Sequence, residues 1–257
     1  MKMAFQLSPT VTPSDLSTFI PQLFNTIAGR SHLLNTLYPD NATVDGQNAA
    51  VTRFINQQAS YPCIKWLKVI DLEANGDIVA VSQWYIIDSE VARQEIIEED
   101  TEIEDGNEAW SDVEEQAVAR AVYRAFKRER REVARKERLP ILCLNLMSVL
   151  PKYQRKGAGK MMMEWAMKQA DQMGALGIVE SNDIGRKLYE QFGFVAQGPI
   201  DTRVDKPGLD ERGFDQMWFM TRPRDETGQM AQGTLHEKEE QLVSGELLRA
   251  MVLSLDW

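Results

Sequence analysis

Between residues 149 and 160 the chain reads VLPKYQRKGAGK, which joins an apolar run, ILCLNLMSVL, to KMMMEWAMKQADQM, a segment with helical spacing. A strand that ends at such a turn and opens straight into a helix leaves several backbone N–H groups, here those of Arg155 to Lys160, aimed at one spot. The helix dipole favours negative charge at the same place. Gly157 and Gly159 stand where a side chain would keep a diphosphate from the backbone, and Arg155 and Lys156 add fixed positive charge. The chemistry this pattern suits is the holding of phosphate.

A short apolar segment, LGIVES, follows that helix, and then NDIGRKLYEQFGFV, in which Asn182 precedes Tyr189 and Phe192-Gly193-Phe194 closes the unit. On these residues the chain resembles the GNAT superfamily of acetyl-CoA-dependent N-acetyltransferases. The superfamily's phosphate motif is matched by Gln154, Arg155, Lys156, Gly157, Ala158 and Gly159, and its later block by Asn182, Leu188-Tyr189 and Gly193-Phe194. The resemblance spans residues 140 to 200, about a quarter of the 257, and its wording looks like the fungal small-molecule branch. One departure is Gly185, where the family often has Ala; it should loosen the local helix by about 1 kcal/mol.

The resemblance implies an α/β fold with a mixed central sheet of about seven strands flanked by helices, two of whose parallel strands splay apart around acetyl-CoA. The pantetheine arm would then bond to the backbone of Leu146, Met147, Ser148 and Val149, with Val149 the principal contact. The diphosphate would meet the amides of Arg155, Lys156, Gly157, Ala158, Gly159 and Lys160, with Gln154 on a phosphate oxygen. Asn182 would cap the next helix and touch the cofactor, and Tyr189 would protonate or hydrogen-bond the departing thiolate.

The acceptor must lose a proton: an alkyl ammonium of pKa about 10.4 is neutral roughly once in a thousand molecules at pH 7.4, a handicap of about 4 kcal/mol. Glu180, at the end of the second parallel strand, is the best-placed carboxylate, either as that base or as an anchor for the following helix. Asp88 and Glu90 are its rivals. Trp84 and Tyr85 are candidates for an acceptor wall, although alternation turns one of them toward the core. His32 and His236 have no partners in sequence that would make a site, no metal is expected, and Met161, Met162, Met163 and Met167 read as helix core.

Ahead of this block, AFQLS reads as a strand and TPSDLSTFIPQLFNTIAG as a helix capped by Thr12, stopped by Gly29 and bent or divided at Pro21. A second helix begins near Asp45. CIKWLKVIDL and DIVAVSQWYII form a hairpin about Glu73-Ala74-Asn75-Gly76. Residues 88–139 are an insertion, acidic at EEDTEIED and then basic, with Val118, Val122, Phe126 and Val133 at helical spacing from about Ser111. It is either a solvated helix laced with pairs such as Arg128 to Glu132 or a lid over the acceptor pocket. PIDTRVDKPGLDERG reads as a loop and FDQMWFMTRP as a closing strand. These divisions give one acetyltransferase domain over 1–222 and a C-terminal extension over 223–257, whose amphipathic end is a packing helix, a homodimer contact or a terminus of little order.

The formal net charge is -10 and the pI about 4.9, which disfavours nucleic acid as a partner and favours amines. Cys63 and Cys143 lie in apolar runs without metal or redox spacing. With no signal-like N-terminus and no bilayer-length apolar run, the expectation is a cytoplasmic protein without a membrane partner. The expected activity is acetyl transfer from acetyl-CoA to the primary amine of a small molecule. The rivals are a protein or peptide acetyltransferase and a degenerate domain that only binds acyl-CoA.

Overall fold

The structure, a computed structural model, describes residues 4–27, 31–98, 110, 112–203 and 215–224. Seven strands form one sheet in the order β1-β2-β3-β4-β5-β7-β6. They are β1 (Phe5–Ser8), β2 (Ile64–Asp71), β3 (Asp77–Ile87), β4 (Ile141–Val149), β5 (Leu176–Asn182), β6 (Val195–Ile200) and β7 (Met217–Arg222). Neighbours are antiparallel except β4 and β5, which run parallel. The helices are α1 (Pro13–Ile27), α2 (His32–Leu37), α3 (Val44–Ser60), α4 (Glu90–Glu98), α5 (Val113–Lys136), α6 (Ala158–Met173) and α7 (Asp183–Glu190). This is the mixed α/β sheet flanked by helices that the sequence implies.

Local chemistry sets the element ends. The β2–β3 hairpin turns on Asn75 and Gly76, both at positive φ (56° and 79°), the conformation Asn and Gly adopt most readily. Thr12 and Asp15 cap α1 reciprocally: the Thr12 N–H donates to Asp15 Oδ2 at 2.7 Å and the Asp15 N–H to Thr12 Oγ1 at 3.2 Å. Pro21 does not divide α1, which runs unbroken from Pro13 to Ile27. The carbonyl it deprives of a donor belongs to Ser17, an exposed residue, so water can serve it. Thr43 caps α3 by accepting from the Gly46 N–H, so that helix begins at Val44.

The insertion is not a solvated helix. Asp112 caps α5, and one face of it, Val118, Ala119, Tyr123, Phe126, Lys127, Arg130 and Ala134, is buried. Arg93 of α4 locks its end by donating to the carbonyls of Ala134 and Leu139. The outer face keeps short-range pairs, but Arg128 meets Glu129, while Glu132 takes Arg135 and Lys136. Residues 99–109, which hold most of the acidic stretch, lie outside the described residues, as does 225–257, nearly all of the proposed extension.

Met162, Met163 and Met167 are buried in the core and Met161 packs against it. Both cysteines are buried and free. No described helix is long and apolar enough to cross a membrane.

Candidate active site

The parallel ladder between β4 and β5 is short. It runs from Ile141↔Leu176 to Leu144↔Val179 and stops there, although β4 continues to Val149 and β5 to Asn182. On its other side β4 stays paired with β3, but the register slips between Gln83↔Leu146 and Trp84↔Leu144, which leaves Asn145 as an extra residue opposite that step. A bulge of this kind bends a strand and raises its local twist. The two strands therefore fork at Asn145, and Leu146, Met147, Ser148 and Val149 are only half-buried. An extended amide chain could pair with that free strand edge as an added strand would.

The fork leads to the phosphate-like loop. After a 3-10 turn at Pro151–Tyr153, Arg155 (φ 61°) and Gly157 (φ 103°) both turn left-handed, and α6 starts at Ala158. Gly157 is the N-cap and offers no side chain to the first amides of the helix. A Cβ placed on Gly157 meets nothing within 4 Å, so the space before those amides is open. Gly159 serves differently, since its Cβ would lie 3.2 Å from Leu188 Cδ2 and 3.9 Å from Val149 Cγ2. It permits α6, α7 and β4 to close on one another.

The side chains of the loop partly depart from expectation. Arg155 is exposed, and Lys160 sits 3.5 Å from Glu164. Gln154 turns back so that its Nε2 donates to the Val149 carbonyl at 3.1 Å, and Lys156 Nζ donates to the Lys152 carbonyl at 2.5 Å. The amides at the start of α6 have no side-chain cap.

Asn182 caps α7 by accepting from the Gly185 N–H at 2.8 Å. Tyr189, on the same helix, is buried, with its ring 6.1 Å from that of Phe194. Burial raises its pKa above the ordinary phenol value. The Gly185 departure has a local reason: a Cβ there would stand 3.0 Å from both Ser181 Oγ and Tyr189 Cε2.

Glu180 is not where a base would be useful. Arg130 of α5 holds both of its carboxylate oxygens, and the two side chains are only 3% and 1% exposed. Both carboxyl oxygens are thus committed to Arg130, which favours the anchoring role over that of proton acceptor. Asp88 and Glu90 fail for another reason. They follow Ile87, which pairs with Ile141 at the opposite end of β4 from the fork, and both are exposed. Trp84 and Tyr85 are both fully buried, because the sheet is covered on both faces. Tyr85 lies beneath Arg130, 5.8 Å from guanidinium carbon to ring centroid.

Sequence reasoning missed Arg130, Lys127, Asn145 and Gln83. Lys127 Nζ donates to Asn145 Oδ1 at 2.5 Å, and Asn145 Nδ2 donates to Gln83 Oε1 at 2.6 Å. Arg130 stays charged; desolvation opposes that, but Cys143 and Glu180 beside it raise its pKa further. The signal was available in the helical spacing of Ala119, Tyr123, Phe126, Arg130 and Ala134, which a stripe drawn from large apolar residues alone overlooks.

Residues 105–196 match the family model described as an acetyltransferase (GNAT) domain. No curated protein sequence matches the chain. Among solved structures, arylalkylamine N-acetyltransferase 2 from Aedes aegypti superposes with a TM-score of 0.54 at 13% identity, over 86% of this chain and 99% of that one. The polyamine N-acetyltransferase of Drosophila melanogaster, which forms N-acetylagmatine, gives 0.56 at 11% identity over 85% and 98%. A Corynebacterium glutamicum structure described as histone acetyltransferase HPA2 and related acetyltransferase gives 0.53 at 15% identity over 87% and 98%.

Proposed function

From the match of residues 105–196 to the GNAT acetyltransferase domain model, we propose that the chain transfers an acetyl group from acetyl-CoA to the primary amine of a small molecule. The observation that carries this reading is the fork between β4 and β5 ending at the uncapped start of α6. The acceptor class is supported by fold neighbours whose own substrates are arylalkylamines and polyamines.

The residues fit two parts of acetyl-CoA, its diphosphate and its pantetheine arm. The amides of Arg155 to Lys160, with the α6 dipole behind them, would hold the diphosphate, and the open space at Gly157 leaves them accessible. The free backbone edge of Leu146 to Val149 would take the pantetheine arm, with Asn182 close to the cofactor at the far lip of the fork. When bound, acetyl-CoA supplies a thioester that an amine can attack directly, with no covalent enzyme intermediate.

Tyr189 keeps its proton at Oη. Even at ordinary values, passing that proton to a thiolate runs uphill by about 2 kcal/mol, and burial increases the gap. Its contribution is a hydrogen bond to the leaving sulfur. With Glu180 held by Arg130, the acceptor enters as its neutral fraction, and turnover carries that cost. The two reduced, buried cysteines suit a reducing compartment such as the cytoplasm.

Release of free thiol from acetyl-CoA, measured with a panel of arylalkylamines, polyamines and lysine-containing peptides, tests the proposal. Turnover with small amines supports it. Turnover with peptides alone would replace the acceptor class, and binding of acetyl-CoA without any turnover would reduce the protein to a cofactor-binding module.

A further inference from the structure

We infer that Arg130 is a positioning residue that sets the width of the fork between β4 and β5, so that the inserted helix α5 shapes the cleft rather than merely covering it. The acetyltransferase reading supplies only the identity of what enters that cleft.

Arg130 acts at the step where the ladder ends. The last pair is Leu144↔Val179, and the next residues along the two strands are Asn145 and Glu180. Arg130 bridges those residues. Its Nη2 donates to the Leu144 carbonyl at 3.0 Å, its Nη1 to Asn145 Oδ1 at 3.1 Å and its Nε to Glu180 Oε1 at 2.9 Å, while Nη2 also meets Glu180 Oε2. A guanidinium is rigid and planar, with donors at fixed angles, so acceptors on two strands that share it are held at a fixed separation. A side chain from outside the sheet thus takes the place of the next rung.

Two further contacts brace the clamp. Lys127, nearly one turn earlier on α5, donates to the same Asn145 oxygen, and Asn145 donates in turn to Gln83 on β3. The bonds therefore run from α5 through the bulge of β4 to β5 on one side and β3 on the other.

Stability does not explain the arrangement. A buried ion pair is often no better than apolar side chains of similar volume, because removing two charges from water offsets their attraction. Apolar side chains in the same place could hold α5 against the sheet. They could not hold the Leu144 carbonyl, which would then be free to seek an amide of β5 and let the strands close.

The test is a double variant, Arg130→Met with Glu180→Met, which removes both charges of the ion pair together. Hydrogen exchange is followed without ligand across 144–149 and 180–182, together with thermal melting and a calorimetric titration with CoA. The expected result is a melting temperature near that of the wild type, altered exchange at the fork, and CoA affinity lower by roughly tenfold to a hundredfold. Arg130→Lys, which keeps the charge but reaches fewer acceptors, should shift both readouts the same way by less, and it decides the matter if the double variant does not fold. Unchanged exchange at the fork in a folded variant overturns the proposal. Altered exchange in a protein whose wild type takes no CoA leaves the clamp standing and removes the acetyltransferase reading instead.

Discussion

A Cβ on Gly185 would stand 3.0 Å from Cε2 of Tyr189, closer than side chains normally approach. The α7 helix thus gives up the better helix former and leaves room for the Tyr189 ring, whose centroid lies 6.1 Å from that of Phe194. Gly185→Ala should gain about 1 kcal/mol of helix propensity and lose at least as much to the displaced ring. The expected outcome is no rise in melting temperature and a reduced maximal rate. A stabilised variant of full activity would show that the contact is slack.

Tyr189→Phe removes the hydroxyl and preserves the packing. The maximal rate should fall by about tenfold or more while the KM for acetyl-CoA changes little, since in the proposed mechanism the lost hydrogen bond forms to the leaving sulfur as charge develops. A wild-type rate would take Tyr189 out of the mechanism.

The pH dependence follows from two protonation states. Below the pKa of the acceptor, about 10.4 for an alkyl amine, each unit of pH raises the neutral fraction about tenfold, and the rate at subsaturating amine should rise with it. Because burial lifts Tyr189 above the ordinary phenol value, its proton is retained through this range and produces no descending limb below about pH 10. A plateau reached near pH 6 or 7, and lost in Glu180→Gln, would restore Glu180 as the base.

Acid stability should depend on Asp15. Desolvation opposes its ionised form, but Lys68 at 2.7 Å and the Thr12 bonds outweigh that and lower its pKa. A carboxylate whose pKa is depressed on folding stabilises above its unfolded value near 3.9 and loses that contribution as the pH falls through the folded value. Asp15→Asn should cost about 1 kcal/mol at pH 7 through the weakened cap and the lost pair. Melting curves of the two proteins should converge as the pH drops below about 4.

Much of this architecture is legible in the sequence because local chemistry dictates it. Asn75-Gly76 requires a hairpin, Thr12 and Asp15 require a helix start, and the alternation into Val149 followed by two nearby glycines requires a strand that ends at a helix. Where sequence reasoning went astray, long-range packing decided the outcome. Pro21 reads as a bend or a division, and the burial of Leu16, Phe19, Ile20 and Leu23 keeps α1 from dividing there. Glu180 reads as a base because its strand position faces the fork, and nothing nearby in sequence announces that Arg130, fifty residues earlier, fills that space. A buried Arg looks in sequence like any member of a solvated charge run.

The claim on which the account depends is that the amides at the start of α6 hold the diphosphate of coenzyme A. Gly157→Glu tests it most directly, because the open space at Gly157 accepts a side chain without collision and sets a carboxylate before those amides. The left-handed φ of 103° should cost about 1–2 kcal/mol of stability, which a protein of ordinary stability survives. In a calorimetric titration with CoA the wild type should bind and the variant, still folded by its melting curve, should show no measurable affinity. Equal binding by the two proteins would place the diphosphate elsewhere and contradict the account.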